Sequence, residues 1–212
     1  MIKQLRQRLP NLNPIDHWAL GHMGQEAAVL LALTDEAEPH IILTKRAQTL
    51  SRHSGEVALP GGMIDRQDDS LFATALRESR EEIDLNPSAV EVLGALDSMV
   101  TRFGIKVTPV VGIVPAVVLL AANPAEIDCI FRVPLDFFLR DQRLRTDCGT
   151  VNGHQIAVPC WDWQGHHIWG VTAIILVNFM NRVLDRDIST GIEALAQATH
   201  GTAVPQDWMP AK

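Results

Sequence analysis

Pro60-Gly61-Gly62 and, fifteen residues beyond Gly62, Arg77-Glu78-Ser79-Arg80-Glu81-Glu82 form the stretch from which the fold is read: a glycine turn feeding a helix that gathers acids on one side. At about 100° per residue, Glu78, Glu81 and Glu82 fall within an arc of roughly 100°. Glu78 and Glu82 are like charges at i, i+4, which weaken a helix unless something compensates them. Hard divalent cations such as Mg²⁺ take carboxylate oxygens and share their coordination sphere with substrate phosphates. The pattern therefore points to phosphate chemistry.

The same helix, expected from about Ser70 to Leu85, carries Phe72, Ala75, Leu76, Ser79 and Ile83 on a neighbouring arc, a small-to-apolar stripe suited to packing on a sheet. The plainer alternative is a solvated charged face, and Arg77 with Glu81 makes an ordinary i, i+4 ion pair in its favour. At the helix start, Asp68-Asp69-Ser70 reads as an N-cap cluster, with a contribution of Asp69 to a metal site as the alternative. Pro87 ends the helix, because the residue before a proline disfavours the helical region.

Working outward, Glu26 to Thr34 and Pro39 to Arg46 read as two strands joined by a polar turn, and Val90 to Asp97 and Ile105 to Val114 as two more around the loop Thr101 to Gly104. Residues 126 to 134 read as a strand or a short helical turn. Ala157 to Trp163 and His167 to Trp169 read as a hairpin turning at Gln164-Gly165, and Gly170 to Leu184 as a second long helix with a broad apolar face. Residues 1 to 25 are taken as an N-terminal extension, and residues 186 to 212 as a loose tail with a short helix. Periodicity alone defines a mixed α and β chain of one domain.

The net charge of −7 and pI near 5.6 do not give the basic footprint of a duplex-nucleic-acid binder. An acidic enzyme on an anionic substrate needs a metal or a local basic patch, and Lys45, Arg46, Arg52 and Arg66 lie near the glycine turn. Cys129, Cys148 and Cys160 have no C-x-x-C spacing and are odd in number, which suits a reduced, cytoplasmic protein. The charged amino terminus is unlike a signal peptide, and Val107 to Ala122 is interrupted by Pro109, Gly112 and Pro115, which makes it a poor membrane helix. His53, His166 and His167 read as ordinary loop or strand histidines, and Glu126 as a solvated acid or a further acid of the site.

The chain resembles the Nudix hydrolase family, whose box reads Gly, five residues, Glu, seven residues, Arg-Glu-U-x-Glu-Glu-x-Gly-U, with U apolar. Gly62, Arg77, Glu78, Glu81, Glu82 and Leu85 match. The intervening loop is one residue longer, Asp69 stands at the first Glu counted back from the helix, Asp84 replaces the late Gly, and Ser79 is smaller than usual. Upstream, Leu43-Thr44-Lys45-Arg46-Ala47, Gly55 and Leu59-Pro60-Gly61-Gly62 are similar to the motif of the coenzyme A pyrophosphatases of that family, except that Ser51 occupies an Arg position, with Arg52 one step later, and Leu59 replaces Phe. Val107 to Gly112 and Trp169 to Ala173 are similar to it as well.

The resemblance implies an α/β fold, a Nudix-type α/β/α sandwich with a mixed sheet and the box as a loop–helix–loop. It implies Mg²⁺ or Mn²⁺ held by Glu78, Glu81 and Glu82, with Glu78 a ligand or the base, Arg77 holding the acids, and Arg46, Arg52, Gly61 and Gly62 meeting the substrate. The implied substrate is a small nucleotide like coenzyme A, with no nucleic acid and no membrane as partner, and a homodimer is compatible with it. Three readings stay open here: a coenzyme A diphosphatase, a hydrolase of another nucleoside diphosphate derivative such as ADP-ribose, NADH or a dinucleoside polyphosphate, and a non-catalytic nucleotide-binding module. The intact acids speak against the last.

Overall fold

Two long strands set the register of the molecule in the computed structural model, which describes residues 1–14, 24–50, 53–101, 103–151 and 154–190. β1 (Gln25–Asp35) and β7 (Ile105–Pro115) run parallel, paired from Gln25 with Ile105 to Asp35 with Pro115. Around them the sheet is antiparallel. Its order is β3 (Val57–Ala58), β2 (His40–Arg46), β1, β7 and β5 (Glu91–Ala95). β4 (Gly61–Met63) also pairs with β1, β6 (Met99–Val100) with β7, and β8 (Ile127–Pro134) with β2. Parallel neighbours need a long crossover, and here it carries everything from β2 to β6, including helix α2 (Leu71–Ile83).

Successive side chains of a strand point to opposite faces, so β1 divides its apolar run between two cores. Ala28, Leu30 and Ala32 join Ala75, Ile83 and Leu85 on the side of α2. Ala27, Leu31 and Leu33 join the other side. There the cover is α4 (Gly170–Leu184), through Ala173, Leu176, Phe179, Met180 and Val183, together with a second sheet of β9 (Arg143–Val151), β10 (His154–Trp163) and β11 (His166–Ile168). The expected sandwich is present, with strands as well as a helix in its second layer. The hairpin turn at Gln164-Gly165 has positive φ at both residues (54° and 84°), the conformation that matches strand twist in a two-residue loop.

One expectation is corrected, and two elements are added to those expected. Gly61 and Gly62 lie not in a turn but in β4, paired with Val29 and Ala28. Strand β9 was not expected: its alternation of charged residues shows no apolar face, and Leu144 remains 56% exposed. The N-terminal stretch read as an extension forms α1 (Ile2–Arg8) and a 3₁₀ turn (Leu9–Asn11) whose Ile2, Leu5 and Leu9 are buried in the main core. Arg6 ties this helix to Asp35 and Glu91, and Arg8 ties it to the Val183 carbonyl at the end of α4. The segment 126–134 resolves as strand β8, followed by the short helix α3 (Leu135–Leu139). Of the expected tail, residues 191–212 lie outside the described residues; the Thr190 carbonyl accepts the Ala157 amide and closes the described part onto β10.

Helix α2 begins where the sequence places it. Ser70 is the N-cap, its hydroxyl accepting from the Ala73 amide at 3.1 Å. It ends at Asp84, which takes the left-handed conformation (φ 52°) while its amide bonds the Arg80 carbonyl. Asp84 thus does in strained form what the family glycine does freely. Asp84→Gly is expected to raise stability by about 0.5–1 kcal/mol with unchanged activity, as read by urea unfolding. The smaller Ser79 is also accommodated, since its buried hydroxyl donates to the Ala75 carbonyl at 2.7 Å. Among the described residues no helix is long and apolar enough to cross a membrane.

Candidate active site

The site begins where β4 crosses under α2. A Cβ on Gly61 would lie 2.3 Å from the Ala28 carbonyl oxygen, and one on Gly62 would lie 2.5 Å from the Glu78 carboxylate. The two glycines let the strand approach β1 on one side and the acids on the other. The Gly61 amide donates to Glu82 Oε2 at 3.0 Å. Glu82 is 3% exposed, and its burial, with repulsion from Glu78 and Glu126, pushes its carboxyl up to about 7 against the opposing Gly61 bond and Arg46 charge. Burial also raises Glu78, partly offset by Arg77.

Arg77 is the hub of the box. Its Nε and Nη2 make a bidentate pair with Asp68, each at 2.9 Å, its Nη2 donates to the Met63 carbonyl at 3.0 Å, and its Nη1 reaches Glu78 at 2.9 Å and Glu81 at 3.1 Å. A planar guanidinium with several donors can fix two acids against a backbone carbonyl in this way, where a point charge could not. The plain i, i+4 pair read in the sequence is one arm of this network. The acid that completes it is Asp68, not Asp69. Asp68 has a side chain only 4% exposed, takes the Asp65 amide and the Thr74 hydroxyl, and is held well below the usual carboxylate range by Arg77. Counting forward from Gly62 places five residues before Asp68, so the extra residue of the loop falls after the acid. Spacing alone thus admits either acid.

Arg46 enters from β2. The pairing of β2 with β8 shifts register between Lys45 and Arg46, and such bulges re-aim side chains beside functional sites. Its Nη1 lies 3.4 Å from Glu82 Oε1. Lys45 instead pairs with Asp128 at 3.6 Å. Glu126, read as solvated or as part of the site, adds its charge to both Glu78 and Glu82. It is placed there by a turn whose Asn123 amide bonds the Glu82 carbonyl and by its own carbonyl, which accepts from Ala47. Arg52 and Ser51 lie outside the described residues. Of the histidines, His53 pairs with Glu56, His167 with Asp162, and His166 stacks on Phe131.

Among the described residues no three His, Cys, Asp or Glu ligands converge in a ready-made metal cluster. Glu78 and Glu82 are drawn together on the inner face of α2, whereas Glu81, with a side chain 54% exposed, joins them through Arg77. The donor set nonetheless suits a hard divalent cation. A buried and a half-buried carboxyl whose ionised forms are disfavoured by burial and by mutual repulsion are stabilised by positive charge between them.

Residues 24–142 match the NUDIX domain family. The Nudix hydrolase NudL of Photorhabdus laumondii, itself uncharacterized, is 40% identical over 164 residues, which span 77% of this chain and 88% of that protein. NudL of Cronobacter sakazakii is 41% identical over 153 residues, 72% of this chain and 79% of that protein. A solved MutT/nudix family protein from Enterococcus faecalis superposes with a TM-score of 0.48 at 15% identity, over 82% of this chain and 67% of that one. The chain belongs to the Nudix family. It is a hydrolase of pyrophosphate linkages, in a family that works with divalent metal ions.

Proposed function

We propose that this enzyme cleaves the pyrophosphate of coenzyme A or its acyl derivatives, releasing 3′,5′-ADP and 4′-phosphopantetheine or its acyl form, with Mg²⁺ or Mn²⁺ as the cation. The observation that carries the substrate reading is how the segment Leu43 to Gly62 closes on the acids. Its first end supplies Arg46 and its last end the Gly61 amide, and both address the single carboxylate of Glu82, at 3.4 and 3.0 Å. That the two ends of this motif meet on a buried acid of the box supports reading it as part of the reaction centre.

The residues divide the work. Glu82 and Glu78, with Glu81 at the rim, would hold the cation. When bound, the cation neutralises the pyrophosphate and acidifies an attacking water. Glu78, raised by burial against Gly62, would accept a water's proton as the oxygen adds to phosphorus and the bridging P–O bond breaks, the leaving phosphate keeping the bridging oxygen. Arg77 and Asp68 orient Glu78 and Glu81 through the network described above. Arg46 and Arg52 would meet phosphate oxygens, to which guanidinium groups bind bidentately.

The test is a panel of coenzyme A, acetyl-coenzyme A, ADP-ribose, NADH and diadenosine polyphosphates with Mg²⁺ and with Mn²⁺, read by product chromatography. Coenzyme A or its acyl form is expected to show the highest kcat/KM, and Arg52→Ala is expected to lower it. A clear preference for ADP-ribose or NADH would reassign the substrate to another nucleoside diphosphate derivative. No cleavage of any member would favour the nucleotide-binding module.

A further inference from the structure

Arg46 is incompletely engaged. Its backbone is pinned on both sides: its amide bonds the Glu56 carbonyl, its carbonyl takes the Gly55 amide, and the next amide, of Ala47, bonds Glu126. Its side chain is held far less firmly. The contact from Nη1 to Glu82 is long at 3.4 Å, and Nε is buried with no hydrogen-bond partner among the described residues. A buried donor without an acceptor is costly. An anion arriving at this edge of the site would satisfy it in the fork geometry that guanidinium offers to phosphate.

The other side of the contact points the same way. Glu82 carries the Gly61 amide on Oε2 and the Arg46 guanidinium near Oε1, so a cation reaching this carboxylate meets an oxygen that is already shared. A divalent ion and a guanidinium on one buried carboxylate repel each other where water screens poorly. With the backbone pinned, the side chain is the part that yields.

We propose that Arg46 is a shared cation: it partners Glu82 before the divalent ion arrives, is displaced from that carboxyl group when the ion binds, and is thereby delivered to a phosphate of the substrate. Arg46 is in this sense both a competitor of the metal and a specificity group for the phosphorylated ligand. Its exchange couples the loading of the ion to the capture of the substrate. The inference rests on the proposed cation-dependent hydrolysis.

Two affinities are expected to move in opposite directions in Arg46→Gln. Mn²⁺ binding without nucleotide, measured by titration calorimetry at one fixed pH for both proteins, should tighten by roughly 5-fold or more. KM for the pyrophosphate substrate should rise. Arg46→Lys, which keeps the charge and loses the fork, should keep wild-type Mn²⁺ affinity and still raise KM. Equal or weaker Mn²⁺ binding in Arg46→Gln, with a melting temperature showing it folded, overturns the exchange and leaves a charge partner only. If Arg46→Gln is unfolded, unchanged KM in Arg46→Lys overturns it as well. Wild-type protein that binds no Mn²⁺ at millimolar concentration and cleaves nothing overturns the hydrolase reading itself, a result distinct from the others.

Discussion

Glu82→Gln is expected to lose on the order of 10²-fold or more in turnover while making the metal-free protein more stable at alkaline pH. Glu82 is 3% exposed, and its carboxyl is pushed up to about 7 from the ordinary 4.5, burial being the largest cause. A raised folded-state value means that the fold favours the protonated form, so the stability this group confers is complete below about pH 4.5 and is lost as pH rises through about 7. Glutamine keeps an acceptor for the Gly61 amide without a charge to bury. Discounting the shift for the lost Arg46 contact, the variant should exceed metal-free wild type by about 2 kcal/mol near pH 8, with the gap closing toward pH 5. Urea unfolding at the two pH values, beside rates in saturating metal, reads both effects. Near-normal rates in limiting metal would remove Glu82 from the site.

The second large effect belongs to a residue whose role is to anchor Arg77. Asp68→Asn should lower kcat by about 10- to 100-fold, because Arg77 loses its bidentate anchor and no longer aims Glu78 and Glu81 together. Stability should fall by about 2 kcal/mol through the unpaired guanidinium. The wild-type carboxyl is held below its ordinary range, so the stability it contributes is present above that range and is lost as the pH falls below it. Asp69→Asn, one residue away and exposed, should change neither kcat nor stability. Equal losses in the two variants would show that the network centred on Arg77 does not order the acids.

The contrast between these neighbours shows what kind of information the chain carries in one dimension. Period and spacing marked α2, its Ser70 start and the joint position of Glu78 and Glu82, since both rest on local geometry that repeats every turn. The mixed α and β class and the two long strands were legible for the same reason, through apolar runs buried on both faces. Spacing counted from the wrong end, however, named Asp69. Only the fold, in which Thr74, the Asp65 amide and Arg77 converge on one carboxylate, selected Asp68.

Other features had no local signal to read. Strand β9 is held by its partner β10 while its own sequence alternates charges, so pairing rather than pattern makes it a strand. Ile2, Leu5 and Leu9 are three apolar residues in a charged stretch too short to form a helix alone, and the core supplies the burial that makes α1 form. Arg46 was legible as a cation near the glycines, but its place on Glu82 depends on a bulge between two strands far apart in sequence. The sequence by itself determined the class of chemistry, because an acidic helix behind two glycines needs only neighbours along the chain. The tertiary structure alone decided which acid anchors Arg77 and which cation meets Glu82, because those choices depend on side chains brought together from β2, β4 and α2.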